Sequence, residues 1–142
     1  MKSAHILLVE DNEGDIFLTT EALNESKNES MVSIARDGQE ALDFIFKING
    51  FEEKATPDLI ILDVNLPKKS GHEVLIELKR HDSYKQIPVI ILSTSSSKRD
   101  IDMSYKNFAN CYITKPVEVN DFMEAISALQ KFWLETATLP VN

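Results

Sequence analysis

Along the chain, short apolar runs alternate with longer stretches in which apolar positions recur every three or four residues. Runs at 6–9, 31–35, Leu59–Leu62, 89–92 and 111–113 have the length of strands, and ILLV, LIIL and VIIL among them are apolar throughout. A strand buried on both faces has no polar side to show, so these three belong in the centre of a parallel sheet. The intervening segments predict helices over 14–26, 38–48, 71–81, 98–108 and 119–135. Strand followed by helix, five times over, predicts an α/β fold. In the last helix Phe122, Ile126, Leu129 and Trp133 form a stripe that would face the sheet. Phe132 and Leu134 fall off that stripe, which predicts exposed apolar positions and marks the helix as a contact surface for a second copy. Residues 49–57 read as a polar surface loop and 136–142 as a short tail.

Composition narrows the class. A chain of 142 residues, 43% hydrophobic and 27% charged, fits one domain with a single buried core. That domain is expected to span 1–142, with its core over about 5–133. The net charge of −8 repels a polyanion, so direct nucleic-acid binding is not expected. A single cysteine, Cys111, has no intrachain partner and is expected to be a small buried residue. No apolar run approaches the roughly 20 residues needed to cross a bilayer. The sequence shows no secretory leader, and a cytoplasmic location is expected.

In an open parallel sheet, ligands bind beyond the carboxyl ends of the strands, so the residues that follow each run matter most. Glu10 and Asp11 follow the first, Asp63 the third, Ser93 and Thr94 the fourth, and Thr114, Lys115 and Pro116 the fifth. Three carboxylates gathered within several Å repel by about a few kcal/mol per close pair at an effective dielectric near 20, and the arrangement calls for a cation. Mg²⁺ suits it, being a hard ion held by one or two carboxylates together with phosphate oxygens. Glu10, Asp11 and Asp63 could supply the acids, and a backbone carbonyl at Asn65 a further ligand. A carboxylate can also attack a phosphoryl group and form an acyl phosphate, provided the charge on the transferring oxygens is neutralised. Lys115 would contribute to that, and the hydroxyl of Ser93 or Thr94 would sense the result.

Taken together, ILLVEDN, LIILDVNLPKKSG, VIILST and YITKP resemble the motifs of the receiver domain of bacterial two-component response regulators, over about residues 5–133. The resemblance implies a flavodoxin-like (βα)5 three-layer sandwich, with a parallel five-stranded sheet in the order 2-1-3-4-5. It implies Asp63 as phosphoacceptor, Glu10 and Asp11 as Mg²⁺ acids, Ser93 as switch hydroxyl, Lys115 as phosphate contact and Tyr112 as aromatic switch. It also implies a phosphoryl donor, either a sensor histidine kinase or a phosphotransfer protein. The signal would leave through a protein-interaction surface, including a possible homodimer through the fourth helix, fifth strand and fifth helix. Glu10 stands where many receivers carry Asp, and Ser93 where Thr is frequent. The EDNEGD opening and polar loop are similar to stand-alone receivers that partner bacterial phytochromes. Such a protein is a self-modifying phosphoacceptor rather than an enzyme with a separate substrate.

Two other classes share parts of this pattern. A phosphatase of the haloacid dehalogenase type also uses an aspartyl phosphate, a hydroxyl and a lysine, but carries a second acid where this chain has Asn65. A pseudo-receiver would signal by binding alone, and the intact acids, hydroxyl and lysine count against it. Ser97 reads as a helix cap, and His5, His72 and His81 as surface or helix residues without metal-ligand spacing.

Overall fold

The computed structural model describes residues 3–25 and 30–140. Five strands, β1 (Ala4–Val9), β2 (Ser30–Ala35), β3 (Leu59–Leu62), β4 (Val89–Ser93) and β5 (Cys111–Thr114), pair in parallel in the order β2-β1-β3-β4-β5. Between and after them lie α1 (Glu13–Asn24), α2 (Gly38–Phe46), α3 (Gly71–Arg80), α4 (Lys98–Lys106) and α5 (Val119–Gln130). The flavodoxin-like order is the expected one, and the apolar runs β1, β3 and β4 occupy the centre. Ser26, the expected end of the first helix, lies outside the described residues.

Alternation along the strands divides the core into two layers. Leu7, Val9, Ile60, Leu62, Val89 and Ile91 meet α2 and α3 through Leu42, Ile45, Val74 and Leu78. Ile6, Leu8, Leu59, Ile61, Ile90 and Leu92 meet α1 and α5 through Leu23, Phe122 and Ile126. The central strands are thus apolar on both sides because helices cover both. At about 25 cal/mol per Å² of apolar surface removed from water, this two-sided burial is the main stabilising term.

Helix ends follow local chemistry. Asn12, Asp37, Ser70 and Ser97 cap α1 to α4, each accepting a backbone N–H three residues on. Lys47 ends α2 in the left-handed region (φ 60°), and Phe108 adopts φ 72° just beyond α4, so both helices stop two residues before the expected ends.

Four expectations need correction. Leu134 is not exposed: it packs with Trp133 against the α1/α5 layer, while Phe132 is 52% exposed. The cause is a π-helical stretch at Lys131–Thr136, closed by the Ala137 N–H donating to the Phe132 carbonyl at 2.7 Å. Its wider winding turns each residue through about 80° rather than the ~100° of an α-helix, which rotates Leu134 onto the buried face. His5 is a core residue, 5% exposed in β1, with Nε2 2.9 Å from the Ser33 hydroxyl. The loop at 49–57 is not wholly a surface feature, because Phe51 packs on Phe44 with ring centroids 5.5 Å apart. Cys111, on the edge strand, is only partly buried.

Candidate functional site

The carboxyl ends of β1, β3, β4 and β5 open on one edge of the sheet. Strand pairing fixes the depth of each side chain there. Just beyond β1, Glu10 donates its N–H to the Ala35 carbonyl at 3.0 Å, and the residue is buried at 2% exposure. Beyond β3, the Asp63 N–H reaches the Val9 carbonyl at 3.1 Å, which sets Asp63 level with the acidic pair. Beyond β5, the Lys115 N–H donates to the Ser93 carbonyl at 2.7 Å and aims the lysine stem along the same edge.

Glycine makes this geometry possible at the third strand. A Cβ on Gly71 would lie 2.1 Å from the Asp63 carbonyl oxygen and 2.7 Å from Val64 Cα. The Gly71 N–H donates to the Val64 carbonyl at 2.8 Å, so the start of α3 lies directly against the backbone that carries Asp63. Gly38 plays the same part for the loop before α3, since a Cβ there would meet the Lys69 carbonyl oxygen at 2.0 Å.

Lys115 is the hub. Its Nζ donates to Glu10 Oε1 at 2.5 Å, Asp15 Oδ2 at 2.8 Å and Asp63 Oδ2 at 3.0 Å. The other oxygen of Glu10 accepts the N–H groups of Asp11 (3.1 Å) and Asn12 (3.2 Å), and Asp63 Oδ1 accepts that of Asn65 (3.2 Å). Burial pushes the Glu10 carboxyl up to about 7, opposed by the Lys115 hydrogen bond and reinforced by the Asp63 charge. Burial works against the charge on Lys115 as well, but hydrogen bonds to Asp15 and Glu10 and the charge of Asp63 outweigh it and raise the lysine pKa. The lysine therefore stays cationic among its acids.

Carboxylate oxygens of Glu10, Asp11 and Asp63 lie within 4.8 Å of one another. A single ammonium cannot balance these acids together with Asp15, and an all-oxygen donor set with an exposed member, Asp11, fits a hard divalent cation that keeps some of its water. The structure thus brings together Glu10, Asp11, Asp63 and Lys115 from three strand ends.

Ser93 and Tyr112 sit beside this group. Ser93, fully buried at the end of β4, accepts the Ser95 N–H on its hydroxyl at 3.3 Å. The Tyr112 ring packs against the α2/α3 layer, and its hydroxyl donates to the Ser95 carbonyl at 2.7 Å. Burial raises the pKa of that hydroxyl. Ser95 in turn donates its hydroxyl to Asp100 Oδ2 at 2.5 Å, and Asp100 Oδ1 lies 3.0 Å from His72 Nε2 on α3. The Ser95 hydroxyl, and after it the imidazole of His72, hold the Asp100 carboxyl below its ordinary range. The loop after β4 is therefore tied to α3, α4 and β5 at once.

Sequence reasoning missed Asp15 and the Ser95–Asp100–His72 chain. Asp15 lies in the first turn of α1, where an acid is ordinary and gives no sign of a partner just beyond β5. His72 and Asp100 are 28 residues apart and meet only because α3 and α4 are neighbours.

Comparisons with known proteins agree with this geometry. Response regulator Rcp1 of Synechocystis sp. is 43% identical over 135 residues, covering 95% of this chain and 92% of that protein. A crystal structure of the phosphorylated cyanobacterial phytochrome response regulator RcpA superposes with a TM-score of 0.96 at 44% identity, covering 99% of this chain and all of that one. The Mn²⁺-bound form of Rcp1 superposes with a TM-score of 0.94 at 42% identity, covering 97% and 99% of the two chains. Residues 6–127 match the response regulator receiver domain, and the chain belongs to that family of two-component signalling proteins.

Proposed function

We propose that Asp63 accepts a phosphoryl group from the phosphohistidine of a sensor histidine kinase or a phosphotransfer protein, and that this Mg²⁺-dependent modification switches a protein-interaction surface. The observation that carries the reading is the buried Lys115 ammonium 3.0 Å from Asp63 Oδ2, beside an acid group suited to a divalent cation. In the transfer, an Asp63 oxygen forms the new P–O bond while the P–N bond of the donor breaks and its electron pair returns to the imidazole. Glu10, Asp11, Asp63 and the Asn65 carbonyl would hold Mg²⁺, which when bound neutralises charge on the transferring oxygens. Lys115 would contact the phosphoryl group, and Ser93 would turn its hydroxyl from the Ser95 N–H toward a phosphoryl oxygen. Tyr112, already bonded to the Ser95 carbonyl, would follow that movement.

The likeness to RcpA supports a phytochrome-type kinase as donor, and the Mn²⁺-bound form of Rcp1 supports a divalent cation at the acids. A cytoplasmic setting follows from such a donor. Among the described residues, no helix is long and apolar enough to cross a membrane. The test is transfer of label from phosphorylated kinase or acetyl phosphate to the wild type and to Asp63→Asn, with Mg²⁺ or with chelator. Label is expected on the wild type with Mg²⁺ alone. Equal labelling of Asp63→Asn, or labelling in chelator, would remove the reading.

A further inference from the structure

The three donors on Lys115 Nζ are met by three carboxylates from separate strand and helix ends: Glu10 at 2.5 Å, Asp15 at 2.8 Å and Asp63 at 3.0 Å. Two of them have another task. Glu10 and Asp63, with Asp11, form the acid group that fits a cation, and Asp63 would lose its free carboxylate on taking the phosphoryl group. Asp15 has no part in that group. Its own position is fixed, because its N–H donates to the Asn12 side chain at 2.9 Å in the first turn of α1. Asn12 already caps that helix, so the Asp15 carboxylate is not needed as a cap. Apart from these acids, the lysine is held at its backbone, 2.7 Å from the Ser93 carbonyl, and carries its charge on a flexible four-carbon stem.

We propose that Asp15 is a positioning residue for Lys115, holding the ammonium beside Asp63 after a cation has engaged Glu10. This rests on the reading of Asp63 as phosphoacceptor and Lys115 as phosphate contact. The plain alternative is an acid favoured at a helix N-terminus by the backbone dipole, which would act on α1 and leave the lysine indifferent.

The experiment measures initial rates of labelling by acetyl phosphate at saturating Mg²⁺ for the wild type, Asp15→Ala, Asp15→Asn, Asp15→Glu, Lys115→Ala and the Asp15→Ala/Lys115→Ala double variant. Thermal melts establish that each is folded, and calorimetry gives its Mg²⁺ affinity. Asp15→Ala is expected to slow labelling about tenfold with Mg²⁺ affinity little changed, since misplacing a charged group by a fraction of an ångström carries a cost of that order. Asp15→Asn, which keeps the shape and an acceptor oxygen, should fall between, and Asp15→Glu should recover part of the rate. In the Lys115→Ala background, Asp15→Ala should cost nothing more, because residues that act as a unit are not additive. Wild-type rates in Asp15→Ala, or an equal loss with and without Lys115, would overturn the proposal alone. A wild type that takes no label, or takes it equally as Asp63→Asn, would overturn the underlying reading and this proposal with it.

Discussion

At the scale of single residues, the site depends on close approach as much as on charge. Asp63, Glu10 and Lys115 are visible in the sequence because each ends a strand. Gly71 is visible only as a helix start, yet a Cβ there would lie 2.1 Å from the Asp63 carbonyl oxygen. Gly71→Ala is therefore expected to lower stability by about 3 kcal/mol, at the upper end of overpacking costs, in urea unfolding of the purified protein. An effect below about 1 kcal/mol would mean that α3 slides away without resistance. Asp15 was hidden for the opposite reason. Its local setting accounts for it completely, and only the fold, which brings the first turn of α1 to the residue following β5, gives it a second partner in Lys115.

At the scale of elements, periodicity placed the strands and the central position of β1, β3 and β4, because two-sided burial leaves a continuous apolar run. It could not place the end of the last helix, since an ideal α-helical wheel assumes constant winding. The π-helical stretch at Lys131–Thr136 breaks that assumption and packs Leu134 against the core while Phe132 stays exposed. Leu134→Ala should cost about 1 to 2 kcal/mol, while Phe132→Ala should stay within roughly 0.5 kcal/mol of the wild type. Parallel denaturant titrations distinguish them, and equal costs would contradict the winding. Helix α4 shows a different limit. Its only buried residue is Ser104, whose hydroxyl donates to the Asp100 carbonyl at 2.7 Å, so it packs with little apolar patterning of its own and Ser97 caps its start.

At the scale of the whole molecule, charge and surface set two further expectations. The chain carries a net −8, and Glu10, Asp11, Asp15 and Asp63 gather at one edge of the sheet, so a cation bound there stabilises the folded state by mass action. Mg²⁺ at 100 times its dissociation constant should add about 2.7 kcal/mol, read as a raised melting temperature that Asp63→Asn largely loses. An unchanged melt would remove the metal from the site. Tyr105 on α4, Val119 on α5 and Phe132 in the π-helical stretch beyond it are 49%, 55% and 52% exposed, and are apolar positions at which the homodimer expected from the sequence would pack. Sedimentation of the protein with and without beryllofluoride should show a dimer in the activated sample, and a monomer in both would count against that surface. The seam at Gly71 has a last consequence, for direction of movement. With backbone pressed on backbone, the wall of the cleft behind Asp63 is stiff, whereas the opposite wall at Ser93 to Ser97 is held by side-chain bonds to Asp100 and Tyr112. A push generated at Asp63 has one compliant side to displace, and it faces α4.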